Sequence, residues 1–207
     1  MHVLMLNGSC HPKGCTYTAL DTIAKQLAKH EITSDIVQIG TKPINDCIAC
    51  GKCVKTGYCV FDTDGVNKFI DQLKAADGVI IGSPTYYAGP TGAVCSFLNR
   101  VFFRKGEPYM FKPAAAIMSC RRGGSSASFD RLNKYFTINR MPVVSSQYWN
   151  SVHGNTPEEV LQDVEGLQIM RTLADNMAWL IKCIACGKEA GINPPTPEEW
   201  TPTNFIR

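Results

Sequence analysis

Short, almost wholly apolar runs alternate with amphipathic segments along the chain, and this alternation limits its fold more than any other feature. The apolar runs predict five strands, at His2–Leu6, Ser34–Ile39, Gly78–Ile81, Pro113–Met118 and Met141–Ser145. Strands that are apolar on both faces are typical of a parallel sheet covered by helices on each side. Because crossovers are right-handed, a doubly wound α/β sheet of five parallel strands is the simplest arrangement.

The amphipathic segments between the strands predict the covering helices. These are expected at Thr16–His30, Asn67–Ala75, Gly92–Phe103, Ser125–Thr137 and from Pro157 to about Cys186. Pro157 suits the first turn of a helix, where its missing N–H does no harm. The sequence therefore predicts a single domain over residues 1–207, with a Cys-rich excursion at 43–64 and an extended Pro-rich tail at 187–207.

Charge and composition limit the kinds of molecule that the protein is expected to bind. The chain of 207 residues has a formal net charge of +3, and its Lys and Arg residues are scattered. A nucleic-acid footprint needs basic residues clustered on one face, so nucleic acid is not expected as a partner. No apolar run is long enough for a membrane helix or a signal peptide, which predicts a cytoplasmic protein without a membrane partner. Ten Cys in such a chain favour thiol, metal or redox chemistry over a disulfide scaffold.

The loop after the first strand is rich in small and hydroxyl-bearing residues, and it leads directly into a helix. Backbone N–H groups at a helix N-terminus, together with hydroxyls, form an anion site. The loop lacks the Gly-Lys-[Ser/Thr] ending of a nucleotide-triphosphate loop and the Gly-x-Gly-x-x-Gly of a dinucleotide site, so a monophosphate is predicted. An ordinary capped turn is the alternative. The candidate residues are Ser9, His11, Lys13, Cys15, Thr16, Tyr17 and Thr18.

The loop after the third predicted strand places two adjacent aromatics between Pro and Gly. Aromatic side chains and flexible backbone at the carboxyl end of a strand suit a flat ring system, since ligands of such sheets bind at this edge. The alternative is that the tyrosines cap the core. The candidate residues are Pro84, Thr85, Tyr86, Tyr87, Ala88 and Gly89.

The loop after the fourth predicted strand combines positive charge with glycine. It should lie beside the same edge of the sheet, where guanidinium groups and backbone N–H groups can face a ligand. A solvated turn that caps the next helix is the alternative. The candidate residues are Ser119, Arg121, Arg122, Gly123 and Gly124.

Three motifs resemble those of the NADPH-dependent FMN reductase family of flavodoxin-like folds, and within it the iron–sulfur flavoproteins. Ser9, Gly14 and Thr16 match the family's Gly-Ser-Pro-Arg-x-x-Gly-Asn-Thr phosphate loop, whereas Cys10, His11 and Cys15 stand where Pro, Arg and Asn are usual. Ser83-Pro84-Thr85-Tyr86 resembles its Ser-Pro-x-Tyr loop, and Phe97-Leu98-Asn99-Arg100 its Phe-Leu-Asp-Arg, with Asn for Asp. The likeness extends to the ending Thr203-Asn204-Phe205-Ile206-Arg207. It implies bound FMN, strand order 2-1-3-4-5, and a homodimer or homotetramer.

Four cysteines follow the spacing C-x2-C-x2-C-x5-C, at Cys47, Cys50, Cys53 and Cys59. Two-residue gaps let successive thiolates face one centre, as in ferredoxin-type ligation. The resemblance assigns these residues as ligands of a [4Fe–4S] cluster. Zinc is a second interpretation, although structural zinc sites usually divide their ligands into two separated pairs. Free thiols without metal are a third.

Two further features are given structural interpretations. Cys183-Ile184-Ala185-Cys186-Gly187-Lys188 repeats the hexapeptide at Cys47–Lys52, but helical periodicity predicts a helix end there, with Gly187 as its C-cap. Asp62 and Asp64 precede a predicted helix and are expected to cap it.

The predicted function follows from the cofactor. The main hypothesis is an FMN-dependent oxidoreductase that takes electrons from NAD(P)H and reduces a small acceptor or flavin. No catalytic protein residue is expected, because the flavin carries the chemistry. The alternative is an electron carrier that accepts single electrons from ferredoxin through a [4Fe–4S] cluster. A non-enzymatic thiol or zinc module is the third hypothesis.

Overall fold

The computed structural model describes residues 1–103, 108–199 and 201–203, and its sheet has the predicted order. The parallel strands lie in the order β2-β1-β3-β5-β6, and the short β4 pairs antiparallel with β3. Without β4, this is the predicted order 2-1-3-4-5, so the doubly wound α/β fold is confirmed. The strands are β1 (His2–Asn7), β2 (Thr33–Gln38), β3 (Gly78–Tyr86), β4 (Gly89–Pro90), β5 (Ala114–Cys120) and β6 (Ser151–His153).

Helices cover both faces of the sheet. They are α1 (Cys15–Ala28), α2 (Lys52–Thr56), α3 (Val66–Ala75), α4 (Gly92–Phe102), α5 (Ser125–Ile138), α6 (Pro157–Val160) and α7 (Val164–Glu189). Along β1, Leu4 and Leu6 pack in one core with α3, α4 and α5, whereas Val3 and Met5 pack in the other with α1 and α7. All four side chains are fully buried, and each such burial stabilises the fold by about 1.5–3 kcal/mol. This burial on both faces explains the uninterrupted apolar run.

The fifth strand was predicted at Met141–Ser145, and that position is wrong. Of this segment, Val143 forms an isolated bridge to Ala114, while the edge strand proper, β6, pairs with the carboxyl end of β5. The buried Asn150 connects the two parts, because its side chain donates to Ala116 O at 3.1 Å and its carbonyl accepts from Met118 N at 2.9 Å. Asn150 thus hydrogen-bonds to β5 ahead of the edge strand. That strand begins at Ser151, later in the sequence than the apolar pattern predicts.

The long final helix was predicted as one element, but the structure divides it. Asp163 separates α6 from α7: its Oδ1 accepts from Gly166 N at 2.9 Å as the N-cap of α7, and its Oδ2 accepts from His153 N at 2.6 Å. The helix then passes the predicted cap Gly187 and ends at Glu189, and Gly191 follows with a φ of +81°.

The predicted tail therefore begins after α7 rather than at residue 187. Residues 192–199 and 201–203 have no regular secondary structure and are exposed. Residues 200 and 204–207, which include most of the ending that resembles the family, lie outside the described residues. Within the described ranges, no helix is both long enough and apolar enough to cross a membrane.

Candidate flavin site and cysteine site

A cleft lies at the carboxyl edge of the sheet, where all three predicted loops meet. It has a volume of about 670 Å³, within the range of roughly 300–1,000 Å³ that is typical of small-molecule sites. The predicted residues that line it are Ser9, His11, Lys13, Cys15, Thr16, Pro84, Thr85, Tyr86, Ser119 and Arg121. The structure thus brings together residues from three loops that are far apart in the sequence.

The first loop is held in a shape that leaves the start of α1 open. The cap residue Gly14 makes no side-chain cap hydrogen bond, and the first turn of α1 contains no acidic residue. Ser9 Oγ accepts from His11 N at 3.1 Å, and Ser9 N donates to Asn7 Oδ1 at 3.2 Å. The backbone N–H groups at the positive end of α1 are therefore available to an anion such as a phosphate.

Thr16 joins the first loop to the third. Its Oγ1 lies 2.8 Å from Ser119 Oγ, and both residues are buried at the base of the cleft. Two hydroxyls that share one hydrogen bond retain further donor and acceptor capacity for a ligand.

The second loop contains a buried polar atom without a partner. Thr85 Oγ1 has no hydrogen-bond partner among the described residues, although Thr85 lines the cleft. An unsatisfied buried hydroxyl is unfavourable by about 1–3 kcal/mol, so this atom indicates a ligand. Next to it, Tyr86 lines the cleft with half of its surface exposed. Burial, followed by the nearby Cys10 thiol, raises the pKa of Tyr86.

The tip of the second loop points away from the cleft. Tyr87 and Ala88 have φ values of 50° and 57°, in the left-handed region, and the side chain of Tyr87 is fully exposed. Gly89 pairs with Tyr86 in the β3–β4 hairpin. The two adjacent tyrosines therefore have different environments.

The third loop also contains both residues that line the cleft and residues that do not. Arg121, Arg122 and Gly123 are all exposed; Arg121 lines the cleft, whereas Arg122 and Gly123 do not. Gly124 has a φ of +89°, and a Cβ there would lie 3.0 Å from Ala88 Cα. Gly124 thus lets the second and third loops pack together.

The remaining predicted residues of the first loop have partners within the protein. Burial raises the pKa of the Cys15 thiol, which donates to Gly154 O at 3.7 Å. Thr18 Oγ1 donates to Gly14 O at 3.2 Å, and Lys13 Nζ lies 3.7 Å from the centre of the Tyr17 ring. Tyr17 and Thr18 do not line the cleft.

A fourth segment of the chain also lines the cleft, and it was not predicted from the sequence. Gly154, Asn155 and Thr156, between β6 and α6, line it together with Pro157, the first residue of α6. Thr156 caps α6 by accepting from Glu159 N at 3.3 Å. The available signal was a Gly-Asn-Thr-Pro run in front of a helix. It was missed because the last strand was predicted too early in the sequence.

The four predicted metal ligands surround a second, smaller cavity. Cys47, Cys50, Cys53 and Cys59 line a space of about 20 Å³ between the cysteine excursion (residues 43–64) and the end of α4, which contributes Arg100. Burial and then the neighbouring thiols, Cys47 first, raise the pKa of Cys53. In the described part of the chain, no group of three or more His, Cys, Asp or Glu side chains is arranged to hold a metal ion.

The expected capping roles of Asp62 and Asp64 are not observed. The cap of α3 is Gly65, with no side-chain cap hydrogen bond. Asp64 instead forms a buried ion pair with Arg100 of α4, and Asp62 Oδ1 accepts from Asn67 Nδ2 at 2.9 Å. The buried guanidinium attracts the Asp64 carboxylate more strongly than a helix end does.

Comparison with known proteins agrees with this architecture. The sequence profile of the family described as NADPH-dependent FMN reductase matches residues 1–156. An iron–sulfur flavoprotein of Methanocaldococcus jannaschii is 28% identical over 192 residues, covering 89% of this chain and 99% of the relative. An iron–sulfur flavoprotein of Archaeoglobus fulgidus is 31% identical over 171 residues, covering 80% and 83%.

The fold also resembles that of solved structures. A flavodoxin, WrbA-like protein from Agrobacterium tumefaciens superposes with a TM-score of 0.59 at 17% identity, covering 88% of this chain and 96% of that one. This likeness shows a flavodoxin-like fold. Together with the family match, it leads to one conclusion: the chain belongs to the NADPH-dependent FMN reductase family and is a flavin-dependent oxidoreductase.

Proposed function

We propose that the cleft holds FMN, and that the protein takes electrons from NAD(P)H and passes them to a small acceptor or to free flavin. The observation that carries this proposal is the uncapped start of α1, which opens onto a cleft next to the unpartnered hydroxyl of Thr85. The start of α1 therefore favours a phosphate, and the second loop offers a hydroxyl at Thr85 and an aromatic ring at Tyr86. A cofactor with a single phosphate and a flat ring fits both.

The roles of the chain's own residues follow from their positions. Ser9, Thr16 and the first turn of α1 would hold the phosphate, and Thr85 and Tyr86 would contact the ring. Arg121 would place positive charge at the cleft. Bound FMN supplies hydride and single-electron transfer, so no protein acid or base is needed.

Reconstitution of the metal-free, flavin-free protein tests the binding step. FMN should bind tightly, whereas riboflavin should bind far more weakly, because it lacks the phosphate that the start of α1 stabilises. Anaerobic stopped-flow with NADPH and NADH then tests the donor by the loss of flavin absorbance. Equal affinity for riboflavin and FMN would contradict the phosphate assignment, and a flavin that neither nucleotide bleaches would contradict the donor.

The second candidate function is that of a carrier of single electrons, with ferredoxin as the donor. The observation in its favour is that four cysteine thiols line one cavity, in a chain whose relatives are iron–sulfur flavoproteins. Thiolates are the ligands of [4Fe–4S] clusters, so the donor set fits such a group. Cys47, Cys50, Cys53 and Cys59 would hold it, and the cluster would supply a one-electron relay. Iron and sulfide analysis, together with the preferred donor, separates the two candidates.

A zinc module is less well supported. Structural zinc sites usually divide their ligands into two separated pairs, whereas Cys47, Cys50, Cys53 and Cys59 lie in one short segment. A protein that contains zinc in a 1:1 ratio and does not bind FMN would favour this third hypothesis.

We propose further that the protein acts in the cytoplasm as a homodimer or homotetramer. All ten cysteines are free thiols, as expected for a reducing compartment. Exposed apolar side chains near both sites support self-association. They include Ile48, Val54 and Tyr87.

A further inference from the structure

The cysteine excursion is fastened to α4 by one buried side chain. Arg100 is almost fully buried, and its Nε donates to Cys59 Sγ at 3.1 Å. Its other nitrogens donate to Asn45 O at 3.2 Å and to Phe61 O at 2.8 Å. Both terminal nitrogens also contact the carboxylate of Asp64. A single guanidinium therefore binds the excursion at its beginning, at its last cysteine and at its end.

Asn99, the residue of α4 before Arg100, is connected to Cys47 through the side chain of Asp46. Asn99 Nδ2 donates to Asp46 Oδ1 at 2.9 Å, and the same oxygen accepts from Cys47 N at 2.7 Å. On its other side, Asn99 Oδ1 accepts from Tyr135 OH at 2.6 Å. Because the Asp46 carboxylate can only accept hydrogen bonds, residue 99 must present a donor to it.

This contact requires an amide rather than a carboxylate at position 99. An Asp at position 99 would place a second carboxylate against Asp46, and like charges at hydrogen-bond distance repel. Asn99 and Asp46 therefore form a matched pair in this chain.

We propose that Asn99 and Arg100 are the positioning residues of the four-cysteine site: Asn99 orients Cys47 through Asp46, and Arg100 orients Cys59 through a direct hydrogen bond to its sulfur. The proposal rests on the proposed cluster function and names residues that set its geometry. Hydrogen bonds to ligand sulfurs tune both the affinity for a cluster and its reduction potential.

Physical grounds favour this role over a purely structural one. The excursion has one short helix, α2, as its regular structure, so its cysteines depend on outside contacts for their positions. A buried ion pair such as Arg100–Asp64 is often no more stabilising than well-packed apolar residues of similar volume. A buried cation that also donates to Cys59 has a function that an apolar side chain cannot replace.

A charge-swap experiment tests the Asn99 half. Asn99→Asp should weaken iron retention in the reconstituted holoprotein by about 10–100-fold, the usual effect of losing an outer contact to a metal ligand. Adding Asp46→Asn restores one donor and one acceptor at the contact, so the double variant should recover most of the loss. Wild-type iron retention in Asn99→Asp, or no recovery in the double variant, would overturn this half.

The Arg100 half needs a variant that folds. Replacing Arg100 alone leaves Asp64 buried without a partner, so the test uses Arg100→Met with Asp64→Leu. We expect a lower cluster potential and weaker iron retention, with FMN affinity unchanged. A cluster potential and iron retention equal to those of the wild type would overturn the role of Arg100.

A metal-free measurement separates this inference from the cluster proposal. In protein freed of iron, iodoacetamide should alkylate Cys47 faster in Asn99→Asp and Cys59 faster in the Arg100→Met, Asp64→Leu variant, with peptide mass spectrometry as the readout. If anaerobic wild-type protein holds no iron, the cluster proposal fails while these rates still test the positioning. Alkylation rates equal to those of the wild type in both variants would overturn it.

Discussion

Thr16 and Ser119 are 103 residues apart in the sequence, yet their hydroxyl oxygens lie 2.8 Å apart at the base of the cleft. The contact joins the loop after β1 to the carboxyl end of β5. It places two buried hydroxyls beside the open start of α1, where the phosphate is proposed to bind.

Removal of the Thr16 hydroxyl should weaken FMN binding. Thr16→Val keeps the volume of the side chain but loses a hydrogen bond to a charged group, so we expect a loss of about 1.5–3 kcal/mol. Fluorescence titration of FMN measures it. The matched control is Thr22→Val on the same helix, whose hydroxyl bonds to Thr18 O at 2.9 Å and should not affect FMN. Equal affinities for the two variants would place the phosphate elsewhere.

The two copies of the Cys-Ile-Ala-Cys-Gly-Lys hexapeptide should differ in their effect on iron. Cys50 lines the small cavity with the other three predicted ligands, whereas Cys186 is exposed near the end of α7. Cys50→Ser should abolish the cluster and leave FMN bound, and Cys186→Ser should keep both. Iron, sulfide and flavin analysis of anaerobic preparations provides the measurement. Equal iron in Cys50→Ser and the wild type would rule out the ligand assignment.

The two adjacent arginines of the third loop should affect the flavin unequally. Arg121 lines the cleft and Arg122 does not. A charged contact of about 1.5–3 kcal/mol corresponds to roughly 30–65 mV for a two-electron couple. Arg121→Gln should therefore lower the FMN midpoint potential by tens of millivolts, because positive charge favours the reduced anion. Arg122→Gln should leave it near the wild-type value. Spectroelectrochemical titration measures both potentials. A midpoint potential in Arg121→Gln equal to that of the wild type would contradict a role of Arg121 at the flavin.

The raised pKa of Tyr135 predicts that the free energy of unfolding falls at alkaline pH. Burial raises the pKa of Tyr135 to about 12, above the value near 10 of an unfolded tyrosine. The folded state therefore holds the proton more tightly, and this contribution to stability is complete below pH 10 and lost as the pH rises toward 12. The free energy of unfolding in urea should fall less steeply with pH over this window in Tyr135→Phe. Identical slopes would show that Tyr135 does not titrate in this way.

Self-association should be measurable in solution. Tyr87 of the second loop and Ile48 of the cysteine site are exposed, and we expect both near a subunit interface. Light scattering at micromolar concentration should give the mass of a dimer or a tetramer, and Tyr87→Ser with Ile48→Ser should reduce it. A monomeric mass for the wild type would contradict the proposal.

The sequence alone determined the features that depend on local pattern. Apolar runs and amphipathic segments predicted a doubly wound parallel sheet, because a strand buried on both faces, such as β1, must be apolar throughout. The strand order was implied by the family resemblance. The hydroxyl-rich loop after β1 and the cysteine spacing were also visible, since each is contained in a short segment. The carboxyl ends of parallel strands share one edge, which explains why three loops could be expected to meet.

Only the tertiary structure decided which residues face the cleft and which do not. The position of the edge strand depended on Asn150, a polar residue that pairs with β5, so the fourth segment at 154–157 could not be inferred from apolar periodicity. Tyr86 and Tyr87 are adjacent and chemically identical, but Tyr87 has a positive φ and is fully exposed, whereas Tyr86 lines the cleft. The hydrogen bond from Arg100 to Cys59, 41 residues away, is likewise visible only in the structure, because a buried charge takes its partners from the groups that the packing brings near it.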